Sequence, residues 1–177
     1  MDHGDHVRLL SGGVPSRGGT GTWADIGAGE GAFTLALADL LGPGARIISV
    51  DRDAGALRAN AETVTARFPS VELVKVVADF TDQLTLPPLD GLVAANSLHF
   101  VPRDRQVAVM RSLAAHLSPG SPFIVVEYDA DRGNPWVPHP FTATTFARLW
   151  TTAPRRISTH FLLSMSSVSS GHLCHPW

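Results

Sequence analysis

Three glycines within five residues, Gly27, Gly29 and Gly31, separate an apolar run at Thr22–Ile26 from a helix-patterned segment at 30–41. A chain that leaves a strand, turns tightly and enters a helix over so short a distance needs positions without side chains. A Cβ there would obstruct the turn and hold any ligand away from the backbone. The feature restricts the fold to architectures in which strands feed helices directly. The remaining sequence repeats the alternation. Strand-like apolar runs at 46–50, 71–78, Gly91–Ala95 and 123–127 are separated by helical patterns at Ala54–Arg67 and after Pro102, where Val107, Met110, Leu113 and Leu117 recur at helical spacing. These runs are near-continuous in hydrophobicity, as required when helices cover both faces of a parallel sheet. The expectation is an α/β fold with a doubly wound, mostly parallel sheet and right-handed crossovers.

The 177 residues fit one domain spanning 1–177. Residues 1–21 read as an N-terminal loop or arm, and 169–177 as an irregular tail. A helix is expected at 141–152, followed by two short strands at 155–160 and 161–168. With 44% hydrophobic and 17% charged residues the chain has material for a core, which argues against disorder. A net charge of −2 gives no electrostatic footprint for nucleic acid or an anionic membrane. No apolar run approaches the length of a membrane span, the N-terminus lacks a signal-peptide layout, and the single cysteine, Cys174, excludes an internal disulfide framework. A soluble cytoplasmic protein without nucleic-acid or membrane partners is expected, its oligomeric state open. Asp2-His3, Asp5-His6 and the trio His172, Cys174 and His175 resemble metal ligands, but the expectation for all of them is solvated polar sequence and no metal site.

The ligand class is constrained by acidic residues. Asp51 ends the second strand about 20 positions after Gly31, where a carboxylate can accept both hydroxyls of a ribose. The alternative role for Asp51 is a turn acid or a cap for the helix near Ala54. Gly27-x-Gly29-x-x-Ala32 also satisfies the loose dinucleotide fingerprint, so a nicotinamide-dependent oxidoreductase stands as one reading. Asp25 and Glu30 weigh against it, because negative charge beside the loop repels a pyrophosphate and suits a cationic ligand.

The segment Asp25-Ile26-Gly27-Ala28-Gly29-Glu30-Gly31 resembles the glycine motif of class I S-adenosylmethionine-dependent methyltransferases. The likeness continues through Asp51, Ala78-Asp79-Phe80 after the third strand, Ala95-Asn96-Ser97-Leu98-His99-Phe100 after the fourth, and Leu117-Ser118-Pro119-Gly120 before the fifth. It covers roughly residues 20–130 and implies a Rossmann-like sheet of the seven-stranded methyltransferase type with S-adenosylmethionine as cofactor. The closing strands look abbreviated beside that family's antiparallel seventh strand. The resemblance implies that Gly27, Gly29 and Gly31 hold the methionine part and Asp51 the ribose. It places Asp79 with Phe80 at the adenine and Asn96 at the methionine end. Asp25, Ala28 and Arg52 join the same set by position.

The acceptor side rests on position at the carboxyl edge of the sheet, where ligands of open α/β sheets bind. His99, Glu127 and Asp129 are the candidate catalytic residues there, with His99 also readable as a structural histidine. The segment 127–140 mixes proline, glycine, tryptophan and charge, and it leaves the sheet on that edge. Tyr128, Asn134, Trp136 and His139 are its candidate contacts to a substrate, with an aromatic plug as the alternative role for Trp136. The functional expectation is methyl transfer to a small-molecule acceptor. A non-catalytic S-adenosylmethionine-binding domain serving as a partner subunit is the alternative.

Overall fold

The computed structural model describes residues 1–15, 21–150 and 158–164, with the side chains of 148–150 and 158–164 excepted. The elements run α1 (His3–Ser11), β1 (Thr22–Ile26), α2 (Ala32–Leu41), β2 (Arg46–Asp51), α3 (Ala54–Arg67), β3 (Glu72–Val77), β4 (Gly91–Ala95), α4 (Arg103–Ala114), β5 (Pro122–Tyr128), α5 (Ala143–Trp150) and β6 (Ser158–Ser164). The six strands form one sheet in the order β3-β2-β1-β4-β5-β6. Every pairing is parallel. Strand order reverses between β1 and β4, and the crevice outside their carboxyl ends is where such sheets bind ligands.

The near-continuous apolar runs follow from burial on two faces. Ala24, Ile26, Ile48, Val50, Leu92, Ala94, Phe123 and Val125 pack in one cluster with Val109, Met110 and Leu113 of α4 and Phe146 of α5. Their neighbours Trp23, Ile47, Val93, Ala95, Ile124 and Val126 pack in a second cluster with residues of α1, α2 and α3. The period-2 alternation of strand side chains thus sends successive residues to opposite helical layers.

Three expectations need correction. The arm at 1–21 contains a helix, because Asp2 and Asp5 form a reciprocal capping box. The Asp5 amide donates to Asp2 Oδ1 at 2.9 Å, and the Asp2 amide donates to Asp5 Oδ2 at 3.0 Å. Leu10 then anchors α1 in the core. Neither histidine beside them is simply solvated, since His3 Nε2 pairs with Asp39 Oδ2 at 3.0 Å and the His6 ring lies 4.7 Å from that of Phe33. Second, α2 starts at Ala32 rather than 30, because Gly29 and Gly31 hold positive φ and keep the backbone out of the helical well. Third, one strand replaces the two expected at 155–160 and 161–168. The seven residues of β5 offer an unbroken edge, and β6 pairs along all of it from Pro122↔Ser158 to Tyr128↔Ser164. No antiparallel strand occurs among the described residues, so β6 lies directly beside β5 and the closing edge is abbreviated. Residues 16–20, the end of the expected helix at 151–152, positions 155–157 and 165–168 of the expected strands, and the tail with His172, Cys174 and His175 lie outside the described residues.

Candidate functional site

The glycine loop is folded back over the tip of β2. The Gly27 and Ala28 amides donate to the Val50 carbonyl at 2.8 and 3.0 Å, and the Gly31 amide donates to the Ala28 carbonyl at 3.0 Å. Gly27, Gly29 and Gly31 have φ of 71°, 52° and 93°, a region that L side chains rarely occupy. A Cβ at Gly27 would also lie 2.4 Å from that of Ser97, whereas a Cβ at Gly29 would meet nothing within 4 Å. The loop is therefore tightly packed on one side and open at its tip.

Asp51 ties the loop to the next turn. Its Oδ2 accepts the Gly29 amide at 2.8 Å and its Oδ1 accepts the Asp53 amide at 2.9 Å. The cap of α3 is Asp53, whose Oδ1 accepts the Gly55 and Ala56 amides at 2.8 and 3.0 Å and whose carboxyl those bonds hold below its ordinary value. Asp51 is thus a turn acid but not the helix cap, and each of its oxygens retains a lone pair.

Asp25 lies beneath the loop at 1% exposure. Its Oδ2 accepts the Thr34 hydroxyl at 2.6 Å, and Asn60 Nδ2 donates to Thr34 Oγ1 at 2.9 Å and to Ser49 Oγ at 3.3 Å. Burial pushes the Asp25 carboxyl up to about 6; the Thr34 hydrogen bond opposes this and the nearby Asp51 charge adds to it.

Two cavities meet at this point, sharing Gly27 and Asp51. One, of about 340 Å³, is lined among others by Gly27, Asp51, Arg52, Asp79, Phe80 and Asn96. The other, of about 590 Å³, is lined among others by Asp25, Gly27, Ala28, Gly29, Gly31 and Asp51. The ten residues that the sequence associates with a cofactor all line one cavity or the other. The second cavity carries four carboxylates, of Asp25, Glu30, Asp51 and Asp53, and no basic side chain. Asp79 shapes a turn, its Oδ1 accepting the Thr81 amide at 2.9 Å and the Thr81 hydroxyl at 2.7 Å. Those bonds, then the charges of Arg52 and Arg105, hold its carboxyl below the ordinary value. Asn96 has φ 52°, the one described non-glycine residue with positive φ.

The acceptor-side candidates are dispersed. Glu127 is fully buried and His99 is 3% exposed. Glu127 Oε2 lies 2.7 Å from His99 Nδ1, while Oε1 accepts the Leu98 and His99 amides at 2.8 and 3.2 Å. The Tyr128 ring meets that of His99 edge-on at 5.7 Å, and the His139 amide donates to the His99 carbonyl at 3.0 Å. Asn134 Oδ1 accepts the Trp136 and Val137 amides, both at 2.9 Å, and so closes a local turn. Trp136 is 70% exposed, which excludes the role of a core plug. None of these six lines the two cavities at the glycine loop. Asp129 borders a separate concavity with Asp131 and Thr142, and its Oδ1 accepts the Ala143 amide at 3.3 Å.

Sequence reasoning missed Ser97, Thr81 and Arg105 in the wall of the 340 Å³ cavity. Arg105 sits on the polar side of a helical pattern, and only Ser97 stood inside a motif already singled out. Among the described residues no group of three His, Cys, Asp or Glu side chains could hold a metal ion, and no helix is long and apolar enough to cross a membrane.

Comparison with known proteins places this geometry in a wider set. A family described as a methyltransferase domain matches residues 24–123, more than half of the chain. No curated protein sequence matches. Among solved structures, the N-methyltransferase NodS from Bradyrhizobium japonicum WM9 superposes with a TM-score of 0.61 at 22% identity, over 84% of this chain and 79% of that one. The same protein in complex with S-adenosyl-L-homocysteine gives 0.50 at 22% identity, over 67% and 56%. TehB from Haemophilus influenzae gives 0.63 at 19% identity, over 85% of this chain and 50% of that one. The chain spans about half the length of several such relatives.

Proposed function

Because the chain belongs to the methyltransferase-domain family, whose class I members use S-adenosylmethionine, we propose that it transfers a methyl group from S-adenosylmethionine to a small-molecule acceptor. The observation that carries the reading is the pair of cavities joined at Gly27 and Asp51, one of them walled by four carboxylates and no cation. Such a wall attracts a ligand bearing ammonium and sulfonium charge and repels a diphosphate. The open tip of the loop at Gly29 fits an amino-acid chain, and the lone pairs that Asp51 keeps beyond its two amide partners, in the lining of both cavities, fit a ribose.

On this reading Gly27, Ala28, Gly29 and Gly31 cradle the methionine part, with Asp25 supporting the loop from below. Asp51 takes the ribose, Arg52, Asp79 and Phe80 frame the adenine, and Asn96 closes the methionine end. The cofactor, when bound, supplies an activated methyl group. What the chain adds is alignment and exclusion of water. Glu127 already accepts from two amides and faces His99 Nδ1, so it serves as a positioning residue. His99, held by that carboxylate, is 3% exposed and lines neither cavity, so it belongs to the turn after β4 and no base is assigned.

The test is ligand-induced stabilisation. S-adenosylhomocysteine at about 100 times its dissociation constant adds about 2.7 kcal/mol of stability, and NAD adds none. A rise in melting temperature with NAD alone would assign the chain to nicotinamide chemistry instead.

A further inference from the structure

Among the described residues, three buried side-chain atoms have no hydrogen-bond partner: His3 Nδ1, Asn60 Oδ1 and Ser97 Oγ. Two of these stand directly behind the glycine loop. A Cβ at Gly31 would meet Asn60 Oδ1 at 2.3 Å, and a Cβ at Gly27 would meet Ser97 Cβ at 2.4 Å and its Oγ at 3.2 Å. Their settings differ. Asn60 spends its amide on Thr34 and Ser49 and lines neither cavity, so it acts as a strut beneath the loop. Ser97 lines the 340 Å³ cavity beside Gly27, one of the two residues that the cavities share.

The backbone gives Ser97 little freedom. Asn96 turns the chain sharply with its left-handed φ, and the next two amides, of Leu98 and His99, are fixed on Glu127. The Ser97 side chain is 3% exposed. A hydroxyl that has given up water without gaining a partner is a cost to the fold. A group of that kind in a cavity wall is satisfied when a ligand brings the partner.

We propose that the Ser97 hydroxyl is a cofactor-binding group that faces the sulfonium and favours S-adenosylmethionine over its demethylated product. The inference rests on the cofactor reading above. With the ribose at Asp51 and the amino-acid part on the glycine loop, the wall at Gly27 faces the join between them, which in S-adenosylmethionine is the charged sulfur. An oxygen lone pair stabilises that positive centre and gains nothing comparable from the neutral thioether of S-adenosylhomocysteine. The preference would help the product to leave.

The test uses Ser97→Ala and wild type, titrated calorimetrically with S-adenosylmethionine and with S-adenosylhomocysteine, alongside urea unfolding without ligand. The expected result is unliganded stability equal to or above wild type, S-adenosylmethionine binding weakened about tenfold, and S-adenosylhomocysteine binding within about twofold of wild type. Equal loss for both ligands would overturn the sulfonium assignment. Unchanged binding of both, or reduced stability with no selective loss, would make Ser97 a packing residue. Wild type binding neither ligand would overturn the cofactor reading itself, an outcome distinct from a failure confined to Ser97→Ala.

Discussion

Asp25→Asn is the substitution with the most to say about the glycine loop. In the folded chain burial pushes the Asp25 carboxyl from its ordinary 3.8 up to about 6. That displacement corresponds to about 3 kcal/mol of disadvantage for the ionised form. The folded state therefore binds the proton more tightly than the unfolded state. The stability contributed by neutral Asp25 is fully present below 3.8 and is lost as pH rises through about 6. Between pH 8 and pH 5 the contribution grows by about 1 kcal/mol. Asparagine keeps the shape and an acceptor for Thr34 but cannot titrate. Urea unfolding of both proteins from pH 5 to 8 isolates the term as their difference, since all other carboxylates are shared. The wild type should fall behind Asp25→Asn as pH rises, by about 1–3 kcal/mol at pH 8. A bound cation should pull the proton from Asp25, so cofactor binding near pH 6 should release protons to the buffer in wild type and not in Asp25→Asn. A stability difference that stays flat across this range would refute a perturbed carboxyl under the loop.

Asp51→Ala should weaken S-adenosylhomocysteine binding by on the order of a hundredfold, as read by calorimetry, whereas Asp53→Ala should lower the melting temperature and leave affinity unchanged; the reverse pattern would exchange the two roles. Glu127→Ala removes the acceptor for two amides and the partner of His99, and urea unfolding should show a loss of about 3–5 kcal/mol. A loss under about 1 kcal/mol would mean that the turn after β4 holds itself. Trp136→Ala should change stability by no more than about 0.5 kcal/mol and spare S-adenosylhomocysteine affinity, and a large destabilisation would contradict the exposure of its ring.

The parts of the molecule readable in advance are those whose signal is local. β1, β4 and α3 have the bounds their sequences indicate, because two-sided burial leaves unbroken apolar runs in the strands, although the cap of α3 is Asp53 and not the expected Asp51. The glycine loop was legible because positive φ leaves few alternatives to glycine. Helix α1 was missed for lack of apolar periodicity in Asp2-His3-Gly4-Asp5-His6, although its Asp-x-x-Asp spacing is a capping-box signal. Ser97 could not be found in this way, because its burial arises only when the ends of β1 and β4 are brought together. The dispersal of Tyr128, Asn134, Trp136 and His139 has the same origin: sequence proximity after β5 did not determine which side chains turn inward.

The central strand of this sheet has consequences for how the protein comes to exist. β1 pairs on one side with β2, joining Trp23 to Ile47, and on the other with β4, joining Trp23 to Gly91. The second contact closes a much longer stretch of chain, and non-local parallel pairing of that kind is slow to form. The half-sheet of β1, β2 and β3 draws on contiguous sequence, whereas joining β4 and β5 to it requires the longer closure. Gly27 and Ser97 belong to opposite sides of that seam. A cavity bounded by both requires the two halves to be joined, so ligand binding reports on the completed sheet and on neither half alone.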